Sequence, residues 1–248
     1  MNIKKKIQDI IDPVHSDSNH LIKYLRSKGI DIGDNTYFFS PKTFSIDTKY
    51  GMFIKIGKNC KITKNVTILA HDYSYSVLRE KYHEIPKKAG LTYIGDNVFI
   101  GINSIILMGS HIGNNVIIGA GSVVSGKIPD NEVWGGNPAK FICTLDEYYK
   151  KCTAKFEDNA ALVVKQYQNK LGRNPSIKEL ETFSLLFINN DKSINAKEEL
   201  NNIRFSGDNK EEAIKDCLNY KSKYNNYDEF IKAMTNNNTK EKKWKKLN

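Results

Sequence analysis

No run of eighteen consecutive apolar residues occurs in the chain, which excludes a transmembrane helix. The opening Met1-Asn2-Ile3-Lys4-Lys5-Lys6 has basic residues but no apolar stretch behind them, so no secretory signal is expected and the cytoplasm is the expected compartment. Cysteine is scarce. Cys60, Cys143, Cys152 and Cys217 offer no C-x-x-C pair and no zinc-ligand spacing, and they read as reduced structural thiols. Charge is not concentrated either: of the net +10, +6 is spread over 1–145, 146–239 is balanced, and 240–248 adds +4. A nucleic-acid surface gathers its charge into a patch that can track phosphates, so no nucleic-acid partner is expected. The short basic end allows at most peripheral contact with an anionic membrane. What is present, 40% hydrophobic and 27% charged residues in 248, belongs to a folded protein.

The first half has a six-residue rhythm. From Ile94 every sixth residue is aliphatic: Ile94, Ile100, Ile106, Ile112, Ile118, Val124. An earlier block keeps the same step through Ile32, Phe38, Phe44, Tyr50, Ile56, Ile62 and Ile68. Three residues after these positions Asn or Gly recurs, at Asn35, Asn59, Asn65, Asn97, Asn103, Gly109, Asn115 and Gly121, and both residues tolerate a left-handed backbone at a corner. Four residues after, the side chain is usually small or β-branched, as at Thr36, Cys60, Val66, Val98, Ser104 and Ser122. A strand too short to bury a face alone, followed by a corner, makes one side of a prism. Three such sides make a coil whose inward column stacks on the next coil. The spacing predicts coils at 32–49, 50–67, 94–111 and 112–129, with one excursion leaving the prism between Ile68 and Ile94, within 71–93.

Outside the prism the period becomes helical. Residues 1–31 are expected to form a helical cap, with a helix over Asn19–Lys28 that is capped by Asp17 or Ser18, buries Leu21, Ile22 and Leu25, and stops at Gly29. Residues 146–234 predict a helical extension with helices over Ala160–Leu171, from Ser176 through Phe187 with a capping box to Glu179, over Lys210–Tyr224 and over Tyr227–Met234. Residues 235–248 are expected to be a disordered basic tail.

Loops carried on a rigid scaffold are where function concentrates, so the excursion is the place to look for chemistry. His71 falls three residues after Ile68, in the corner column, and spacing alone leaves it either a reactive group or a solvated loop histidine. The segment Ile68-Leu69-Ala70-His71-Asp72-Tyr73-Ser74, the repeat around it and Gly135-Gly136-Asn137-Pro138-Ala139-Lys140 together resemble the hexapeptide-repeat acyltransferases. The likeness is strongest to the maltose, galactoside and xenobiotic O-acetyltransferases, in their surface-polysaccharide branch, over residues 20–145.

That resemblance implies a fold class: a left-handed parallel β-helix over 32–145 with an N-terminal helix and an α-helical C-terminal extension. It implies a homotrimer, acetyl-CoA as cosubstrate without a metal, and a sugar or polysaccharide-precursor acceptor. It makes His71 the catalytic general base, since an imidazole that ordinarily titrates near 6.5 suits removal of a hydroxyl proton at neutral pH. It puts coenzyme A against Ile102, Ala120, Ser125 and Lys140, and the acceptor against Ser45, Asp47, Asp72 and Tyr73, with Tyr75 beside Tyr73 able to stack on a sugar ring. This chain carries Gly126-Lys127 where relatives have Lys-Asp, and Cys143 where they have a second basic residue. Asp72 or Glu84 could orient the imidazole, though each alone reads first as a solvated loop acid. Asp47 is expected at a different corner of its own chain, meeting His71 only across a subunit boundary.

Three alternatives remain at this point. One is N-acetylation of a nucleotide-linked amino sugar, and another is a non-catalytic trimeric scaffold. The third is a metal-dependent hydratase using His71, His83 and His111, whose spacings of 12 and 28 residues lack the close histidine pair that a zinc site needs.

Overall fold

The computed structural model describes residues 12–236, in two compact units that divide between Tyr148 and Tyr149. The first unit is built from strands mostly of two or three residues, laid in turn on three sheets. One sheet stacks β1 (Asp31–Ile32), β4 (Ile54–Ile56), β7 (Thr92–Ile94), β10 (His111–Ile112) and β13 (Lys127–Ile128). The second stacks β2 (Tyr37–Phe38), β5 (Lys61–Ile62), β8 (Phe99–Ile100), β11 (Ile117–Ile118) and β14 (Glu132–Gly135), closed by the antiparallel β15 (Lys140–Thr144). The third stacks β3 (Ser45–Ile46), β6 (Thr67–Ile68), β9 (Ile105–Ile106) and β12 (Val123–Val124). Each coil therefore gives one strand to each of three parallel sheets, and a strand this short is held only by the coils on either side.

The inward column is the core. Ile56, Ile62, Ile68, Ile94, Ile100, Ile106, Ile112, Ile118 and Val124 are all fully buried, each side chain contributing about 1.5–3 kcal/mol by leaving water. Eight Asn and Gly residues turn the corners between sides: Asn35, Asn59, Asn65, Asn97, Asn103, Gly109, Asn115 and Gly121 all take positive φ, between 55° and 76°. Helix α1 (Ser18–Ser27) covers the first coil. Asp17 caps it by accepting from the amides of Asn19 and His20, Leu21 and Leu25 join the prism core, and the Ser18 hydroxyl accepts from the Phe38 amide.

The first coil departs from the expected count. Ile32 pairs with Ile56, twenty-four residues on, and Ile46 with Ile68, twenty-two on. Its sides are six, eight and ten residues long, the longer two carrying 3₁₀ turns at Pro41–Thr43 and Gly51–Phe53. The extra residues total six, so the rhythm looks unbroken while the chain has slipped: Ile46 takes the strand position, and Phe44 and Tyr50 pack on the margin of the core. The predicted boundaries 32–49 and 50–67 are therefore wrong. Later coils are regular, Ile94 pairing with Ile112 at eighteen residues, until the last shortens to sixteen between Ile112 and Ile128. Ile56 to Ile94 spans thirty-eight residues, so the excursion adds twenty to a coil of eighteen. It leaves at His71, forms α2 (Tyr75–Tyr82) and returns at Ala89, which bridges to His71.

Helix α3 (Leu145–Ala154) spans the division between units, and the second unit is helical. Helix α4 (Phe156–Leu171) starts four residues earlier than expected and ends on left-handed Gly172. The capping box at Ser176 and Glu179 is present, but it opens only a one-turn helix α5 (Ile177–Leu180), followed by a 3₁₀ turn at Glu181–Leu186. The five consecutive residues Ser184–Ile188 are all buried, and no straight helix can bury five in a row on one face. Asn195 caps a helix the periodicity missed, α6 (Ala196–Asn201), through the amide of Glu198. Helix α7 (Lys210–Asn219) stops short of Tyr224 because the following residues turn extended: the amides of Lys223 and Tyr224 donate to Leu186 O, and the Ser222 hydroxyl to Leu185 O. Helix α8 (Tyr227–Asn236) buries Phe230, Ile231 and Met234, and takes in the first two residues of the expected tail; residues 1–11 and 237–248 lie outside the described residues.

Glu179 is the most strongly shifted acid described. Its carboxylate accepts two bonds from the Arg173 guanidinium, at 2.7 and 2.8 Å, and one from the Ser176 amide, and these hold it down to about 2 from the ordinary 4.5. A depressed folded-state pKa gives stability that is complete above the unfolded value and lost as pH falls toward the folded one. Melts followed at 222 nm should therefore show wild type above Glu179→Gln near neutral pH, with the gap closing as pH falls from about 4.5 to about 2. A gap that stays constant over that range would remove the pair from the unit's pH response.

Candidate functional site

The site begins with the slipped first coil. Asp47 directly follows β3, and its amide donates to Ile68 O, which sets it beside Leu69 on the next coil, two residues before His71. His71 Nδ1 is hydrogen-bonded to Asp47 Oδ2 within one chain. The expectation that these residues face different corners is corrected here: it counted Phe44 and Tyr50 as inward positions and so rotated Asp47 onto the wrong side. His71 also does not take the left-handed backbone expected of a corner residue; it pairs in extended form with Ala89.

The electrostatics of the pair are asymmetric. Asp47 keeps only 5% of its side-chain surface exposed, whereas His71 keeps 33%. A carboxylate is buried at tolerable cost only when a donor meets it, and the imidazole supplies one. Donation from Nδ1–H fixes the tautomer and leaves Nε2 as the basic nitrogen. The Tyr50 ring lies against the imidazole, with centroids 4.8 Å apart and planes at 38°. Asp72, one of the two acids that could have oriented the ring, accepts from the Ser74 hydroxyl and amide, which hold its carboxyl below the usual range and shape the start of the excursion. Glu84 is exposed in the same loop.

Tyr73 is 68% exposed, its ring 4.7 Å from that of Tyr75. The Tyr75 phenol is pushed up chiefly by its hydrogen bond with Tyr73, then by burial and by the nearby phenols of Tyr73 and Tyr50. Ser45 is exposed on the same face of β3 as Asp47, two residues away.

The positions expected to hold coenzyme A lie along the third sheet. Leu69, Leu107 and Ser125 continue the Asp47 column coil by coil, through amide bonds to Ile106 O and Val124 O. Ser125 thus stands about 14 Å along the prism from Asp47, three strand spacings away. Ile102 and Ala120, both exposed, stack at the opposite edge of that sheet, where the Gly121 amide donates to Ile102 O. A Cβ on Gly101 would lie 2.5 Å from Ala120 N, so only glycine allows the coils to close there. The turn preceding Lys140 docks on this face, Val123 bonding to Gly136 O and Ala139 to Val123 O, and Lys140 itself is exposed. Within one chain the structure brings together Ser45, Asp47, His71 and the tyrosines. It leaves Ile102 and Ala120 one sheet-width away.

The other histidines do not join His71. His111 stacks on Tyr93, centroids 4.6 Å apart, and His83 ends α2 in a left-handed conformation. Among the described residues no three His, Cys, Asp or Glu side chains form a metal-binding group. All four cysteines are free; Cys60 and Cys217 are buried, but Cys152 is exposed and so has no structural role as a core thiol. Among the described residues no helix is long and apolar enough to cross a membrane.

Tyr50 and the Asp47 contact were the residues sequence reasoning missed. The signal that could have found them was the Pro41 turn and the weak fit of Lys42 to the column of small residues, both marks of a longer side.

Comparison with known proteins adds the following. The family model described as bacterial transferase hexapeptide (six repeats) matches residues 91–126, the regular coils. Protein CapG of Staphylococcus aureus is 43% identical over 127 residues, 51% of this chain and 73% of CapG. The galactoside O-acetyltransferase of Escherichia coli (strain K12) is 34% identical over 142 residues, 48% of this chain and 68% of the relative. Among solved structures, a galactoside acetyltransferase in complex with coenzyme A matches at 26% identity and a TM-score of 0.37, over 48% of this chain and 67% of that one. The matches take in about half of this chain.

Proposed function

Because the chain belongs to the bacterial hexapeptide-repeat transferases and is an acyltransferase, we propose that it moves an acetyl group from acetyl-CoA to a sugar hydroxyl, in a precursor of surface polysaccharide. The observation that carries this reading is the His71–Asp47 pair at the mouth of the excursion, one partner buried and the other reaching solvent. Family membership further implies that the prism winds left-handed. A coenzyme A donor fits work in the cytoplasm.

A sugar hydroxyl holds its proton too tightly to attack a thioester at neutral pH. His71 Nε2 takes that proton as the hydroxyl oxygen bonds to the thioester carbonyl carbon, and Asp47 faces the imidazolium so formed. When the carbon–sulfur bond breaks, His71 returns the proton to the departing thiolate, leaving the ester and free coenzyme A. The exposed edges at Ile102, Ala120 and Ser125 would receive the donor's extended arm, and the Lys140 ammonium its phosphates. Ser45 and the Tyr73–Tyr75 pair would meet the acceptor, a polar group and two aromatic faces being the surfaces a sugar ring favours. In one chain His71 stands at one edge of the third sheet and Ile102 with Ala120 at the other. A closed threefold assembly would set one edge against the next subunit's other edge, which supports a homotrimer.

The test is thiol release from acetyl-CoA by the full chain, measured against a panel of sugars with free hydroxyls and of nucleotide-linked amino sugars, with each product mapped by NMR. Ester formation is expected. Amide formation on an amino sugar would replace the O-acetyl reading with its N-acetyl counterpart, and absence of both release and coenzyme A binding would leave the trimeric scaffold.

A further inference from the structure

The longest side of the first coil, ten residues between Ile46 and Ile56, brings more than Asp47 to the imidazole. Its 3₁₀ turn carries Tyr50, whose carbonyl accepts from the Phe53 amide at 2.9 Å and whose ring packs against Phe53 with centroids 5.7 Å apart. The turn cannot slide. Gly51 is buried beneath it, and a Cβ there would lie 2.1 Å from Lys28 O, so helix α1's exit clamps the turn from outside the coil. Tyr50 and Phe53 both rest on the prism core, which leaves the Tyr50 ring anchored on one side and applied to His71 on the other.

We propose that Tyr50 is a positioning residue that holds the His71 imidazole in its reactive orientation, by covering the ring face while Asp47 grips its edge. The inference rests on His71 serving as the general base. The two contacts constrain different motions. A hydrogen bond at Nδ1 anchors one edge of the ring but leaves it free to rock about the axis through that bond, and the sp³–sp² torsion of histidine is intrinsically broad. An aromatic face 4.8 Å away removes that rocking and holds Nε2 in one direction. Once His71 has taken the proton, the same face meets a cation, an arrangement that aromatic rings favour. The phenol oxygen has no part in this, so phenylalanine should serve as well as tyrosine.

Two variants of the full chain test it. Tyr50→Leu should lower kcat about 10-fold through misalignment of the base, with KM for acetyl-CoA and for the acceptor within about twofold, and Tyr50→Phe should restore kcat. Tyr50→Met replaces the leucine variant if that protein does not fold. The His71 ring protons, identified by their loss in His71→Ala, should move downfield in Tyr50→Leu and stay in place in Tyr50→Phe, because the ring current goes with the aromatic face. A raised acceptor KM at unchanged kcat would make Tyr50 a substrate contact and overturn the proposal, as would wild-type kcat with unmoved ring protons. Acetyl transfer that survives His71→Ala would instead bring down the reading beneath it, and the proton shifts would still report whether Tyr50 covers the imidazole.

Discussion

His71→Ala should lower kcat for acetyl transfer by about 10²–10⁴-fold, the range in which a positioned general base contributes. KM for acetyl-CoA should hold, because no contact expected of the donor involves the imidazole. The alanine variant has a second consequence: it leaves the Asp47 carboxylate buried without its donor, which costs about 1–3 kcal/mol of stability. His71→Asn separates the two effects, since its amide can still donate toward Asp47 but offers no base. Both variants should be equally inactive in steady-state thiol release, and only the alanine protein should melt markedly lower. An asparagine variant with near-wild-type turnover would exclude proton transfer by His71.

The second large effect is expected at Asp47. Asp47→Asn keeps the volume and the hydrogen-bonding reach but loses the charge, and its amide can donate to Nδ1 and drive the imidazole into the tautomer with its proton on Nε2. That tautomer cannot accept a proton from the acceptor. A loss of about 10²-fold or more in kcat follows, with KM values unchanged, as expected when an interaction made only in the transition state is removed. A raised acceptor KM with intact kcat would point the other way, to Asp47 as an acceptor-binding residue. The within-chain contact to His71 argues for the orienting role.

The regular coils were legible because one inward isoleucine per side and one Asn or Gly per corner are both obligatory: the first fills the prism, and the second is what a left-handed corner tolerates. His71 was legible for a related reason, since the rhythm fails directly after it. The first coil was not. Sides of six, eight and ten residues return the chain to the same phase as four sides of six, and a column read by sixes passes through Phe44 and Tyr50 without a visible break. That hidden slip misplaced Asp47 and concealed Tyr50. In the helical unit the capping signal at Ser176 was correct, but the helix length was not, because burial of Ser184 through Ile188 is decided by tertiary packing and leaves no periodic trace.

The uneven first coil bears on any effort to idealise this protein. An engineer trimming every rung to eighteen residues would improve the regularity that makes such scaffolds stable and designable. Two residues would go from the side holding Pro41 and four from the side holding Gly51, and no later rung would shift. Such a tidied molecule should fold at least as well, yet the tyrosine would depart with the excised turn, and the aspartate would be left to hold the imidazole alone. Irregularity is here the cheapest means by which a monotonous scaffold sharpens a reactive centre, and smoothing it away would blunt the enzyme.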